Sequence, residues 1–350
     1  MYIGFYSYYK NYNNNRLFSK KNDSRTPSSL VPTFSFLKEQ LEQQGHKVAT
    51  TDLDEISNFD AIVFLEFPGT ENAFFRQVKD SGKDLYLIGY ESPVIKPDNF
   101  DPENLKYFKK VFTWADDLVD NPSNSSGQAK KYFKINYHYQ LPQNINFDLA
   151  KKEKLCVIIS SNKSAKYPKE LYSERIKAIR WFENNYPKEF NLYGLDWDQY
   201  NFQGDFLGIK LARLNRLKLL TKLLRPHYPS YKGPVNSKEE TYGKYKFSIC
   251  YENVEGFNGY ITEKIFDCFL AGCVPIYLGA PNIATHIPKD TFIDKRNFQT
   301  YEELYAYIKH MPNQEYENYI KAIKTFLTSD KFYPFTMDCF TKLVANEITT

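Results

Sequence analysis

The sequence predicts an α/β protein built on parallel sheets. Three observations carry that expectation. Strand-like and helix-like segments alternate through residues 1–90, a strand–helix–strand unit occupies Phe247–Gly279, and a chain of 350 residues is long for one hydrophobic core but comfortable for two domains.

The first domain is read in order. Tyr2–Tyr6 is a strand, and Tyr8–Ser29 is a polar, Asn-rich segment too long for a simple turn. Thr33–Gln44 reads as a helix, Lys47–Thr51 and Asp60–Leu65 as strands, Thr70–Asp80 as a helix and Asp84–Tyr90 as a strand. That last strand delivers Glu91-Ser92-Pro93 into a loop at its carboxyl end, where an α/β sheet presents catalytic groups. Pro93 keeps Ser92 extended and stops the loop from winding into helix. Asn104–Trp114 continues as helix then strand. Asp116-Asp117 invites a metal reading, but two adjacent aspartates at a helix start are read as capping residues. Asn121–Lys131 is a Pro/Ser/Gly loop, and the domain linker is placed at 142–153. The expected division is 1–148, 149–330 and a helical C-terminal tail over 331–350.

In the second domain Lys154–Ser160 is a buried strand and Ser161–Pro168 a polar loop. Leu171–Asn184 is a helix with Ile176, Ile179 and Phe182 inward and Arg175 in its first turns. Asn191–Gly194 is a further strand and turn. Phe206–Arg225 carries leucines at 207, 211, 214, 217, 220 and 224, with six Lys/Arg interspersed and no acid. Such a cationic amphipathic helix suits an anionic membrane surface, or it packs its leucines like any other helix.

The strand–helix–strand unit opens with Phe247–Tyr251 and ends in Glu252-Asn253, before a loop loosened by Gly256 and Gly259. Thr262 is a suitable N-cap, Ile265, Phe266, Phe269 and Leu270 form an apolar stripe, and Gly272 is the helix stop. Cys273–Leu278 resumes as a buried strand. Glu263 and Lys264 stand at the helix N-terminus, whose dipole favours anions by roughly 0.3–1 kcal/mol. A bound diphosphate would reconcile Lys264 with that position; the alternatives are a solvated lysine and an ordinary first-turn acid.

Composition sets modest bounds. The chain is 42% hydrophobic and 25% charged, with 29 Tyr and 28 Phe, so it is a globular chain rich in rings; sugar clefts favour rings, but so do ordinary cores. A net charge of +4 is too small to argue for nucleic acid. Cys156, Cys250, Cys268, Cys273 and Cys339 lie mostly within apolar patterns without Cys-x-x-Cys or histidine at metal-ligand spacing, which reads as reduced core cysteines in a reducing compartment. No apolar run reaches the eighteen or so residues of a membrane span, and no signal peptide is evident.

Tyr251–Lys264 (YENVEGFNGYITEK), Ala271–Pro281 (AGCVPIYLGAP) and Pro288–Phe298 (PKDTFIDKRNF) together resemble the donor-binding signature of the α-1,3/1,4-fucosyltransferases of glycosyltransferase family 10. A fainter likeness extends to Ser160–Arg175 and to Glu91-Ser92-Pro93. The resemblance implies a GT-B architecture, two Rossmann-like domains facing across a cleft, with acceptor binding in the first and GDP-fucose in the second. It implies Glu91 as the general base, Arg175 and Lys264 on the donor diphosphate, with Arg180 a competitor for Arg175, and Glu252, Asn253, Tyr260 and Glu263 on sugar and ribose hydroxyls. One more residue separates Asn253 from Tyr260 than in some relatives. No metal and no cofactor are expected, GDP-fucose being a substrate. The implied acceptor is an oligosaccharide or lipid-linked glycan in bacterial lipopolysaccharide or capsule synthesis. The implied location is cytoplasmic, with 206–225 a possible point of peripheral membrane contact. Alternatives are another GDP-deoxyhexose donor, or a non-catalytic glycan- or nucleotide-binding protein.

Overall fold

The computed structural model describes residues 1–19, 30–121, 130–140, 145–200, 202, 205–206 and 209–350. They divide into two units: Met1–Gln143 with Asn258–Glu263 and Ser329–Thr350, and Asn144–Phe257 with Lys264–Thr328.

Strand side chains point alternately to the two faces of a sheet, so a strand covered on both sides must be apolar throughout. That is how the first unit is written. It contains β1 (Tyr2–Ser7), α1 (Leu30–Gln43), β2 (Lys47–Thr50), β3 (Ala61–Leu65), α2 (Ala73–Val78), β4 (Asp84–Gly89), α3 (Pro102–Leu105), β5 (Lys110–Thr113), α4 (Asp116–Val119) and β6 (Tyr132–Lys134). The strands form one parallel sheet in the order β2-β1-β3-β4-β5-β6. Ile3, Phe5, Val63, Tyr86 and Ile88 pack on one face with Phe34, Leu37 and Leu41 of α1. Ile62, Phe64, Leu85 and Leu87 pack on the other with Phe75 and Val78 of α2. Strand order reverses between β1 and β3, and the crevice beyond their carboxyl ends is where such sheets bind ligands.

The second unit runs through β7 (Lys154–Ile159), α5 (Tyr172–Asn185), β8 (Phe190–Tyr193), a two-strand ribbon β9 (Asp205–Phe206) and β10 (Ile209–Lys210), α6 (Lys218–Leu223), α7 (Lys238–Tyr242) and β11 (Tyr245–Tyr251). It continues with α8 (Glu263–Leu270), β12 (Val274–Leu278), α9 (Ile283–His286), β13 (Ile293–Asp294), α10 (Tyr301–His310) and α11 (Asn313–Leu327). Its main sheet is parallel, in the order β13-β12-β11-β7-β8, and its reversal lies between β7 and β11.

Three segments differ from the sequence reading. The last residues do not form a separate tail: α12 (Met337–Thr349) is part of the first unit and places Phe340, Val344 and Ile348 in the same core as α1. Residues 206–225 are not one helix. A 3-10 stretch over Leu211–Arg216 ends at Leu217 (φ −83°, ψ 75°) before the short α6. Like charges three or four apart along a helix oppose its formation, and this stretch has cations with no acid to offset them. Leu219 and Leu223 are 85% and 80% exposed. Finally, Asp116 and Asp117 do not cap α4, whose N-cap is Ala115; Asp116 accepts from Lys134 Nζ, and Asp117 accepts from Asn258 Nδ2 at 3.0 Å. Parts of Tyr8–Ser29, of Asn121–Lys131, of the 142–153 linker and of 206–225 lie outside the described residues.

His138 ties the first core together. Its Nδ1 hydrogen-bonds with Thr33 Oγ1 at 2.9 Å, its Nε2 with Tyr90 Oη at 2.8 Å, and its ring lies 4.3 Å from that of Phe340. Burial pushes the imidazole down from 6.5 to about 3. Between those two values the unfolded chain takes up a proton that the folded chain refuses, so the stability this group contributes is lost as pH falls through that window. His138→Gln, which does not titrate, is therefore expected to cost stability at about pH 7 and to close the gap to wild type at about pH 4.5 in urea unfolding. A gap independent of pH would show that His138 is not held neutral.

Candidate active site

Beyond the reversal point of the first sheet, Ser7 at the end of β1 and Tyr9 after it, Leu65 at the end of β3 and Glu66 after it, and Tyr90 and Glu91 following β4 enclose a pocket of about 100 Å³ with Tyr137 and His138. Glu91 thus enters a cavity from the loop after an apolar strand, where the sequence located it. Glu66 was not legible. It is 4% exposed, and its backbone is left-handed with φ 65°, a conformation uncommon outside glycine. Its Oε1 accepts from the backbone N–H groups of Tyr90 at 2.9 Å and Glu91 at 3.2 Å, and its Oε2 from Asn99 Nδ2. Burial first, and the charge of Glu91 second, push the Glu66 carboxyl up to about 7 against those hydrogen bonds.

The segment Asn258–Glu263 belongs to this unit. Asn258 O accepts from Asp116 N at 3.3 Å, and the Tyr260 ring lies 4.6 Å from that of Trp114. Gly259, with φ 79°, is required there, because a Cβ would fall 2.4 Å from Trp114 O. Tyr260 is 1% exposed and serves as packing in this arrangement. Tyr137 is raised well above the usual phenol value by burial first, and then by its neighbours Tyr260, Glu91, Glu263 and Glu66. Glu263 and Glu91 are therefore both close to Tyr137.

In the second unit the candidates gather at the carboxyl end of β11. Arg175 is buried in α5, and its Nη2 donates to Tyr251 O and Glu252 O, each at 2.7 Å, and to Asn253 Oδ1 at 3.1 Å. The guanidinium pins the strand-to-loop corner and lies over the Tyr172 ring. Arg180, the competing arginine, is engaged elsewhere, with Glu183 at 2.7 Å, His227 O at 2.7 Å and the Tyr228 ring. Glu252 is fully buried and accepts from Lys264 Nζ at 3.0 Å. A carboxylate of the protein itself thus offsets the cation at the start of α8, a role the sequence reading gave to a bound diphosphate. Gly279 makes room for the pair, since a Cβ there would lie 2.5 Å from Glu252 Cγ. The seven predicted residues therefore form two clusters: Glu91, Tyr260 and Glu263 in the first unit, Arg175, Glu252, Asn253 and Lys264 in the second.

Residues 225–336 match a family model described as glycosyltransferase family 10 (fucosyltransferase) C-term. The chain is similar to an α-(1,3)-fucosyltransferase of Helicobacter pylori, 38% identical over 22% of this chain and 16% of that protein. It is likewise 37% identical to human 4-galactosyl-N-acetylglucosaminide 3-α-L-fucosyltransferase 9, over 33% of this chain and 34% of that one. The matched segments thus span well under half of these relatives. Among solved structures, an α1,3-fucosyltransferase superimposes with a TM-score of 0.56 over 99% of this chain and 90% of its own, at 14% identity. Anabaena HepE in complex with UDP-glucose does so with 0.55 over 100% and 99%, at 11%. The two parallel-sheet α/β units have the GT-B fold.

Removing the cation from a buried pair takes the counter-charge from the carboxylate. Lys264→Met should destabilise by about 3 kcal/mol, the low end for a broken buried pair because the lysine side chain stays 22% exposed. The double change Glu252→Gln/Lys264→Met should recover most of that loss in urea unfolding. A double variant no more stable than the single would refute the coupling.

Proposed function

We propose that this chain, in which residues 225–336 match the model of the family 10 fucosyltransferase C-terminal domain, transfers fucose from GDP-fucose to a glycan hydroxyl. The observation that carries the reading is the overlap of that family match with the cluster at the end of β11 and the start of α8, where Lys264 and Arg175 supply positive charge beside Glu252 and Asn253. The structural likeness to an α1,3-fucosyltransferase crystallised with GDP-fucose, TM-score 0.50 at 13% identity, supports the fold this requires.

In this reading Glu91 takes the proton of the acceptor hydroxyl while its oxygen attacks the anomeric carbon. The bond from that carbon to the diphosphate breaks, and GDP leaves with the electron pair. The new bond forms on the opposite face, so a β-linked donor gives an α-fucoside. A positioned general base contributes roughly 10²–10⁴-fold. Lys264 and Arg175 stabilise charge on the departing diphosphate, so the reaction proceeds without metal or other cofactor. Glu252, Asn253 and Glu263 serve donor hydroxyls. The acceptor is an oligosaccharide or lipid-linked glycan of bacterial lipopolysaccharide or capsule, modified in the cytoplasm.

Calorimetry without added metal should give heat with GDP and GDP-fucose and none with UDP-N-acetylglucosamine; binding of another GDP-deoxyhexose more tightly than GDP-fucose would favour that sugar as donor. Glu91→Gln should abolish transfer to N-acetyllactosamine-type probes and leave GDP-fucose binding within about twofold. Binding without turnover in wild type, with every acceptor tried, would favour a non-catalytic binding protein, and absence of guanine-nucleotide binding would end the fucosyltransferase reading.

Peripheral membrane contact has its own support. Leu217, Leu219, Leu223 and Leu224 are exposed among Arg216, Lys218, Lys222 and Arg225, the combination that seats on an anionic bilayer. The protein should sediment with phosphatidylserine-containing vesicles but not with pure phosphatidylcholine, and Leu219→Ser/Leu223→Ser should release it. Equal behaviour on both vesicles would dismiss the contact.

A further inference from the structure

At the Tyr90–Glu91 corner, from which the proposed base enters its pocket, both backbone amides donate to one side chain. Sheet pairing of β4 with β3 ends at Ile88, whose carbonyl accepts from Glu66 N at 3.0 Å, and Tyr90 N and Glu91 N turn instead to the carboxylate of Glu66. Resting on the fucosyltransferase reading, we propose that Glu66 is a positioning residue for the transfer reaction: its buried carboxylate holds the amides of Tyr90 and Glu91 and so fixes the corner that aims Glu91 into the pocket.

Three observations support this. The donor pattern around Glu66 accepts nothing but a carboxylate. Asn99 Oδ1 takes the N–H of Phe67 at 2.8 Å, which locks the amide so that its Nδ2 must face Glu66 Oε2, while Oε1 faces two backbone donors. A glutamine at 66 would have to turn its own NH₂ towards one of those donors. Next, the backbone of Glu66 is left-handed, a strained conformation for a residue with a side chain that persists where the surroundings impose it, often at functional sites. Last, burial cannot be the purpose, since packing an apolar side chain there would cost less than burying a charge.

The other groups facing the pocket hold their charge state. Tyr9, Tyr90 and Tyr137 are raised, each by burial first, and His138 is lowered by burial, so the first three stay protonated and the histidine stays neutral. Tyr12, the remaining titratable lining residue, is a phenol as well. Glu66 and Glu91 are the carboxyls lining the pocket, and Glu263 also lies close to Tyr137. Protonation of Glu66 would set an O–H against the N–H groups it holds and loosen the corner, so activity should fall as pH drops below about 7.

The test compares wild type with Glu66→Gln, using N-acetyllactosamine as acceptor probe. The variant should lose about 100-fold in kcat, as expected when a reacting group is displaced by about 1 Å, and the acid limb near neutrality should vanish from its pH profile. GDP-fucose affinity should be unchanged, and amide hydrogen exchange at Tyr90 and Glu91 should accelerate. Asn99→Ala, which frees one oxygen only, should lose about tenfold with the same change in exchange, and it stands in if Glu66→Gln does not fold. Retained kcat, pH profile and amide protection in a folded variant would overturn the proposal. A wild type without transfer would instead overturn the fucosyltransferase reading, and the exchange measurement would then still decide whether Glu66 holds the corner.

Discussion

Taking a carboxylate out of water costs several kcal/mol unless donors or a cation replace its hydration. Each of the two sheets meets that cost at the carboxyl end of a central strand. In the first unit Glu66 follows β3 and is held by three N–H donors; in the second Glu252 follows β11 and is held by Lys264. Much else follows from accommodating these charges. Asn99 must face one way, Gly279 can carry no side chain, and Arg175 closes the corner behind Glu252 through its carbonyl.

Parallel topology explains why the charges sit there. On the interior strands of a parallel sheet the N–H and C=O groups pair with neighbouring strands, and the first groups without such a partner lie just past the strand ends. Reversal of strand order opens a crevice at that level, between β1 and β3 in one unit and between β7 and β11 in the other. The abundance of rings belongs to the layers around this frame. Phe64, Phe67, Phe75 and Phe108 pack edge to face in one core, and in the other unit Tyr186 stacks on Tyr305 with Trp181 tilted against both.

Legibility in the sequence tracks how local each cause is. Strands such as Leu85–Tyr90 were readable because burial on both faces demands an unbroken apolar run, and the place of Glu91, in the loop past that strand, because Pro93 marks the loop. The βαβ unit carries its own punctuation in Thr262, Gly272 and Gly279. Glu66 has no such mark: its environment is built by amides 24 and 25 residues away and by Asn99 33 residues away. The polar residues of Tyr251–Lys264 were readable as a group, but not that Tyr260 would pack on Trp114 or that Lys264 would find its anion in Glu252. Periodicity suggested a single helix across 206–225, and its unopposed cations were the countervailing signal.

The place of α12 bears on how the chain is made. Tyr86, in the middle of the first sheet, donates from its hydroxyl to Ile348 O, 262 residues away, and Phe340, Val344 and Ile348 close the face that α1 leaves open. A ribosome delivers β1 to β6 long before it delivers the helix that covers them. The second unit, contained almost wholly between those two pieces, can complete its sheet as soon as its own strands emerge. The first must wait with an apolar face uncovered until synthesis has passed Ile348. A nascent chain stalled or truncated before α12 would therefore expose the sheet that carries Glu91, and chaperones would be expected to engage that half of the protein during translation.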